Sequence, residues 1–257
     1  MNKYVLFWLK QSNFSLQTVL ANKWGSLIFI IGKLLRYFLF LVIIMNIATQ
    51  TKHIAGYTLN QLVVFYLVYT FVDTITQMLF RGIYFFREML IDGRFDYYLL
   101  RPINPLFQIL TAYIDPLDLP ILLIVSIGLL MQSFHAVFMN IVLYWFTLVL
   151  SFVIMLAIHI LIAAFGILFL EVDNIVMFMR DIYRMGQVPV DIYEPVVRFA
   201  VSYIIPIAII MNVPAKALLG IISMQNILIA LLMATGLVVI SIKIWGLALE
   251  HYTSASS

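Results

Sequence analysis

The sequence contains no cysteine and only four histidines, and Asp, Glu, Lys and Arg together make up 11% of its 257 residues. The lack of cysteine excludes disulfides, thiolate metal sites and cysteine nucleophiles. The motifs G-x-x-x-x-G-K-[ST], H-E-x-x-H and G-x-S-x-G are also missing, so nucleotide, zinc-protease and serine-hydrolase chemistry have no recognisable site. We therefore expect no catalytic residue, no cofactor and no metal in this chain.

Long hydrophobic runs make up most of the sequence, since 64% of its residues are hydrophobic. A soluble core does not need so much apolar surface, and a bilayer-spanning helix needs roughly 20 apolar residues. The small net charge of +3 fits basic loops beside anionic lipid better than a nucleic-acid surface. The sequence predicts an all-α membrane protein with six transmembrane helices in a single domain over residues 1–257.

Four of the six spans follow directly from the hydrophobic runs, at about residues 26–48, 58–80, 112–133 and 226–248. Lys33 and Arg36 lie in the first third of the first span, where long side chains can snorkel to the interface. The apolar stretch between Lys3 and Lys10 is too short for a secretory signal. We expect residues 1–23 to form an interfacial helix along the inner leaflet.

The region between the third and the last span has two interpretations. Residues 138–170 carry no charge, and as one helix they would be about 50 Å long, which exceeds the hydrocarbon core of roughly 30 Å. We therefore favour two passes that turn near residues 159–164, with the second running to about residue 183. A re-entrant outer hairpin would follow at residues 189–220, where Pro195, Pro206 and Pro214 interrupt a continuous helix.

The alternative topology keeps residues 138–170 as one long, tilted fourth helix. It then places residues 171–198 in a cytoplasmic loop and the fifth span at residues 199–220. Both topologies have six spans and put both termini on the cytoplasmic side.

Charge is concentrated in residues 81–105, RGIYFFREMLIDGRFDYYLLRPINP, which we call the charged loop. It carries four arginines, whereas residues 49–57 carry one lysine, so the positive-inside rule places the loop in the cytoplasm. Residues 84–90 can form a short helix, Gly93 permits a sharp turn, and an arginine before Pro102 favours an extended exit. We expect Leu99 and Leu100 to anchor the loop, with a charged tip available to an aqueous partner. The alternative is a merely solvated loop.

Three acidic residues are candidates for lining a conduit. Asp73 lies midway along the second span, where a carboxylate is costly unless it faces protein or water. It either lines a conduit or pairs with a neighbouring group. Glu171 and Asp173 would line the same conduit in the favoured topology and would be ordinary loop charges in the alternative one.

The charged loop also carries a family resemblance. Residues 93–105, GRFDYYLLRPINP, resemble the G-x-[LF]-D-x-x-L-L-[RK]-P-[IV]-x-P signature of ABC-2-type permeases. Weaker matches follow at residues 189–193, PVDIY, and in the tail at residues 245–256, in the same order as in that family. The resemblance covers nearly the whole chain and is closest to the branch of six-span permease subunits.

This resemblance implies a permease subunit of an ABC transporter, in a class that consists mostly of exporters, in the bacterial cell membrane. Two permease subunits would enclose a conduit, with an unlike second chain favoured over an identical copy, and two ATP-binding subunits would dock below and hold ATP and Mg²⁺. The charged loop would then be the coupling element. Its expected coupling residues are Arg87, Glu88, Asp92, Gly93, Arg94, Asp96, Arg101 and Pro102. A membrane-embedded lipid-modifying enzyme and a non-transporting assembly factor are the alternative functions.

Overall fold

The computed structural model describes residues 2–51, 55–170 and 172–253, and these residues form helices and turns without a β-strand. The α-helices are α1 (Lys3–Ala21), α2 (Lys23–Thr51), α3 (Leu59–Leu79), α4 (Phe86–Ile91), α5 (Arg94–Leu100), α6 (Pro105–Thr111), α7 (Leu119–Ser133), α8 (Phe138–Phe169), α9 (Val172–Tyr183), α10 (Pro195–Phe199), α11 (Val213–Leu218) and α12 (Met224–Glu250). Short 3₁₀ and π-helical turns connect several of them. The all-α prediction is confirmed.

Five helical segments are long and apolar enough to cross a membrane: Lys23–Ile47, Leu59–Leu79, Pro116–Ser133, Phe138–Phe169 and Met224–Glu250. A sixth candidate is a pair of shorter helical segments, Pro195–Ile204 and Ala208–Leu218, which meet at an angle of 81°. The described residues therefore contain five to six candidate spans, as the hydrophobic runs predict. The predicted N-terminal helix is also present as α1, and none of its residues is buried.

The fourth span differs from the favoured topology. Helix α8 runs without interruption for 32 residues, a length of about 48 Å, so the predicted turn near residues 159–164 is wrong. His159 continues the helix, with its Nδ1 atom 2.8 Å from the carbonyl oxygen of Met155. The chain turns only at Leu170, whose φ of 58° is left-handed.

The extra length of α8 is accommodated because protein covers most of the helix between Ile154 and Gly166. A Cβ atom at Gly166 would overlap the side chain of Val172 and would lie 3.4 Å from the ring of Phe86. Gly166 therefore lets α9 and the charged loop pack directly on α8. A comparison of helix length with bilayer thickness does not account for protein that packs on the helix.

The contacts define two ends of the helix bundle. At the loop end, Arg81 forms an ion pair with Asp115, which precedes α7. At the opposite end, Gln132 of α7 donates a 3.1 Å hydrogen bond to Asn60 of α3, and Gly220 lies against Asn140 of α8.

Helix α9 carries the chain from the loop end back to the opposite end. It starts beside the charged loop, where Asp173 lies 3.7 Å from Arg87. Further along, Gln187 donates a 3.3 Å hydrogen bond to Tyr69, midway along α3. The chain then reaches Asp191, which accepts a 2.7 Å hydrogen bond from Tyr57 just before α3. This segment has charged residues on one side, and it is not among the candidate spans counted above.

Candidate functional site

The backbone of the charged loop forms two short helices joined by a glycine turn. A 3₁₀ turn at Arg81–Phe85 leads into α4, and Gly93 follows with a left-handed φ of 69° before α5 begins. Arg101 is extended, with φ −79° and ψ 145°. The predicted turn and extended exit are therefore confirmed, while the α-helix begins two residues later than predicted.

Two phenylalanines fix the base of the loop. Phe86 and Phe95 are both fully buried, and their ring centroids lie 5.3 Å apart at nearly right angles. Phe95 also packs edge-on against the rings of Trp245 and Tyr252, which belong to α12 and the residues after it. The loop base is thereby attached to the last span.

Leu99 and Leu100 do not anchor the loop within the chain. They are 39% and 83% exposed. Leu100 lies five positions after Phe95, which places it on the opposite face of α5 because a helix turns about 100° per residue. The aromatic residues take the anchoring position instead.

Three of the predicted coupling residues form one ion-pair cluster at the exposed tip, which we call the tip cluster: Glu88, Asp92 and Arg94. The Arg94 guanidinium lies 3.0 Å from Asp92 and 3.4 Å from Glu88. The left-handed turn at Gly93 brings the two helices close enough for this arrangement. All three charged side chains are exposed, so they are accessible to a partner in water.

The remaining predicted coupling residues lie apart from the tip cluster. Arg87 donates a 3.0 Å hydrogen bond to the carbonyl oxygen of Leu170. Asp96 accepts a 2.9 Å hydrogen bond from Tyr252. The guanidinium of Arg101 lies over the ring of Tyr98 at 5.1 Å, and Pro102 is exposed beside it.

Asp73 and Asp173, two of the three candidate conduit residues, are not brought together. Asp73 is only 6% exposed and lines a small cavity of about 30 Å³ together with Arg36 and Arg180. Asp173 does not line this cavity; it lies at the loop end beside Arg87. Glu171 lies outside the described residues.

A larger cavity of about 600 Å³ adjoins the loop end, and we call it the cationic cavity. Four basic side chains line it: Lys33, Arg36, Arg81 and Arg180. Sequence reasoning missed this site because its basic residues come from α2, the start of the charged loop and α9. The available signal was the spacing of Lys33 and Arg36, which places both on one helix face.

The sequence model of the family described as "ABC-2 family transporter protein" matches residues 30–256. The chain belongs to the ABC-2 transporter family. The match includes the charged loop, the basic residues of both cavities and Tyr252, whereas Ile28 and Phe29 of the larger cavity lie before it. No curated protein and no solved structure matches the chain. Family membership together with the apolar helices makes this ABC-2 protein a multi-pass membrane protein, and it implies association with an ATP-binding subunit.

Proposed function

We propose that this ABC-2 protein is the permease subunit of an ATP-driven exporter and that the charged loop is its coupling element. The observation that carries the proposal is the contrast between the two parts of the loop. The tip cluster is exposed and charged, whereas Phe86 and Phe95 at the base are fully buried. A loop with an accessible tip and a rigid base can pass a displacement into the spans.

The contacts of the base indicate which helices would receive that displacement. Phe95 and Asp96 contact the last span and its tail through Trp245 and Tyr252. Phe86 lies against α8 at Gly166. A partner whose shape differs between its ATP-bound and empty states would therefore tilt α8 and α12 together, as in rigid-body switching.

The proposed topology puts the charged loop and both termini in the cytoplasm of a bacterial cell. The bent pair is then a re-entrant hairpin entered from outside, because both of its flanks contact the end opposite the loop. On one side, Arg198 donates a hydrogen bond to the backbone carbonyl oxygen of Asp191. The carboxylate of the same Asp191 accepts a hydrogen bond from Tyr57. On the other side, Gly220 lies against Asn140.

A second permease subunit would complete the conduit. Asp181 and Arg184 on and just after α9 form an ion pair with 68% and 55% of their side chains exposed. Charged groups at membrane depth are costly against lipid, so this face requires water or protein. We propose that it faces the conduit between this chain and a second permease subunit, an unlike chain rather than a copy, with ATP and Mg²⁺ held by two ATP-binding subunits.

Charge reversal at the tip cluster tests the coupling role. Arg94→Glu and Glu88→Lys break the cluster without touching the buried base, so the chain should still insert and fold. We expect weaker co-purification of the ATP-binding subunit and reduced transport-coupled ATPase activity. Lys10→Glu, at an exposed position of α1, is the control and should leave both unchanged. Normal capture and normal coupled activity in both tip variants would contradict the proposal.

A further inference from the structure

The cationic cavity combines basic and apolar walls. Besides its four basic side chains, it is lined by Ile28, Phe29 and Phe85, and none of the described residues that line it is a carboxylate. Ile28 and Phe29 are 70% and 42% exposed, so the cavity opens at an exposed apolar face of α2. Its volume of about 600 Å³ lies within the usual range for small-molecule sites.

Two of the four basic side chains form ion pairs with carboxylates that do not line the cavity. Lys33 forms ion pairs with Asp115 and Asp118, and Arg81 forms an ion pair with Asp115. These carboxylates hold both basic side chains in place at the start of α7. Lys33 and Arg81 therefore form a positioned, largely balanced part of the wall.

The other two cations have no such partner. Among the described residues, neither Arg36 nor Arg180 forms an ion pair. Each guanidinium lies over an aromatic ring instead, Arg36 over Tyr37 at 4.7 Å and Arg180 over Tyr84 at 5.7 Å. Both arginines also line the adjoining small cavity, and the carboxylate of Asp73 lines it with them.

The charges around the cavity therefore do not balance. Among the described residues, four basic side chains are matched by three carboxylates, Asp73, Asp115 and Asp118, which leaves one positive charge in excess. An uncompensated charge within the membrane is costly. A guanidinium offers paired donors whose geometry suits phosphate and carboxylate groups, so an anion entering between Arg36 and Arg180 would supply the missing charge.

We propose that the cationic cavity binds the phosphate group of an anionic amphiphile, which is the exported substrate. The phosphate lies between Arg36 and Arg180, and the apolar part extends along Ile28 and Phe29 toward the lipid. This inference rests on the proposed export function for the fate of the bound molecule, whereas the binding step needs neither ATP nor the ATP-binding subunit.

The binding step is tested on the full chain purified in maltoside micelles, with dodecyl phosphate as the probe. Calorimetric titration should show saturable binding of dodecyl phosphate and none of dodecyltrimethylammonium, which has the same chain and the opposite charge. Inorganic phosphate serves as a third ligand. Weaker binding of inorganic phosphate than of dodecyl phosphate assigns the site to an amphiphile, and equal binding assigns it to the free anion and overturns the amphiphile part of the proposal.

Single substitutions identify the cavity. Arg36→Gln and Arg180→Gln should each raise the Kd for dodecyl phosphate about tenfold, because each removes a charge-assisted hydrogen-bond donor. Arg36→Lys keeps the charge and should lose less affinity, and it serves as the folded variant if Arg36→Gln does not fold. Lys243→Gln removes a cation from α12, outside the cavity lining, and should bind like the wild type.

Unchanged affinity in both arginine variants, or equal binding of dodecyltrimethylammonium, would overturn this inference. The outcome is separable from that of the proposed coupling role. Tip variants that lose the ATP-binding subunit should still bind dodecyl phosphate normally, and loss of the cavity arginines should leave capture of that subunit intact.

Discussion

The phenol of Tyr252 donates a 2.9 Å hydrogen bond to the carboxylate of Asp96, joining the segment after α12 to the charged loop. The same ring packs on Phe95 with a centroid distance of 5.0 Å. Burial, together with the hydrogen bond to Asp96, raises the pKa of Tyr252 to about 12, so the phenol stays a donor at physiological pH. Two residues that are 156 positions apart thus hold the loop to the last span.

Tyr252→Phe separates the hydrogen bond from the ring packing. The substitution keeps the contact with Phe95 and removes the donor to Asp96, which should lower the free energy of unfolding by about 1 kcal/mol. We expect the ATP-binding subunit to remain bound while transport-coupled ATPase activity falls, since the loop is less firmly attached to α12. Thermal unfolding and ATPase assays of the reconstituted complex measure the two effects. Wild-type coupling in Tyr252→Phe would show that the hydrogen bond does not transmit motion.

Glycine is required at position 82 because the backbone of Ile109 lies very close to it. A Cβ atom at this position would overlap the carbonyl oxygen of Ile109 in α6. Gly82→Ala should therefore displace the start of the loop and destabilise the chain by about 3 kcal/mol, the upper range for an overpacked site. The expected readouts are a lower Tm and poor capture of the ATP-binding subunit.

Gly246→Ala is the matched control for that experiment. Among the described residues, no atom outside its own helical turn lies within 4 Å of the position its Cβ would take, and alanine is favoured over glycine inside a helix by about 1 kcal/mol. Its Tm should equal or exceed that of the wild type. Equal Tm values for Gly82→Ala and the wild type would mean that the loop does not depend on this approach.

The ion pair between Asp191 and Lys216, at 2.8 Å, gives a pH-dependent contribution at the end opposite the loop. Burial alone would raise the pKa of Asp191, but hydrogen bonds from Lys216 and Tyr57 outweigh it and hold the pKa below its usual range. A lowered carboxylate pKa stabilises the folded state above the unfolded pKa of about 4, and this stabilisation is lost as the pH falls below that value.

We therefore expect Asp191→Asn to lower the Tm by about 4 °C at pH 7 and by progressively less below about pH 4. Thermal unfolding of the two chains in the same detergent across this pH range measures the difference. Asp181→Asn affects an exposed ion pair and should show a smaller difference at pH 7. A Tm difference for Asp191→Asn that is the same at pH 7 and pH 3 would contradict the assignment.

The sequence is sufficient to predict the turn and the exit of the loop because local features determine both, whereas α5 and the aromatic base were not predicted. The turn depends on Gly93 and the extended exit on Arg101 and Pro102, and both effects act within a few residues. The tip cluster also follows from short separations along the chain. The attachment to Tyr252 was not predictable in this way, since it depends on how α12 packs beside α5.

The error in the fourth span has a related cause. Hydropathy measures how apolar a segment is, but it does not show whether lipid or protein covers it. Most of α8 between Ile154 and Gly166 is buried by neighbouring helices, so its length is not limited by the bilayer. The favoured topology did place a returning pass that ends near residue 183, where α9 ends, but it began that pass inside α8 instead of after Leu170. The cationic cavity depends on both of these placements.

Single-cysteine labelling at the tip tests the central claim most directly, because the chain has no other cysteine. Glu88→Cys, in the tip cluster, should react with a membrane-impermeant maleimide only from the cytoplasmic side, and a thiol crosslinker there should capture the ATP-binding subunit. Gln132→Cys, at the opposite end, should be labelled from outside and capture nothing. Labelling of Glu88→Cys by the impermeant maleimide in intact cells would contradict the account. So would a crosslinker at Glu88→Cys that does not capture the ATP-binding subunit in the assembled transporter.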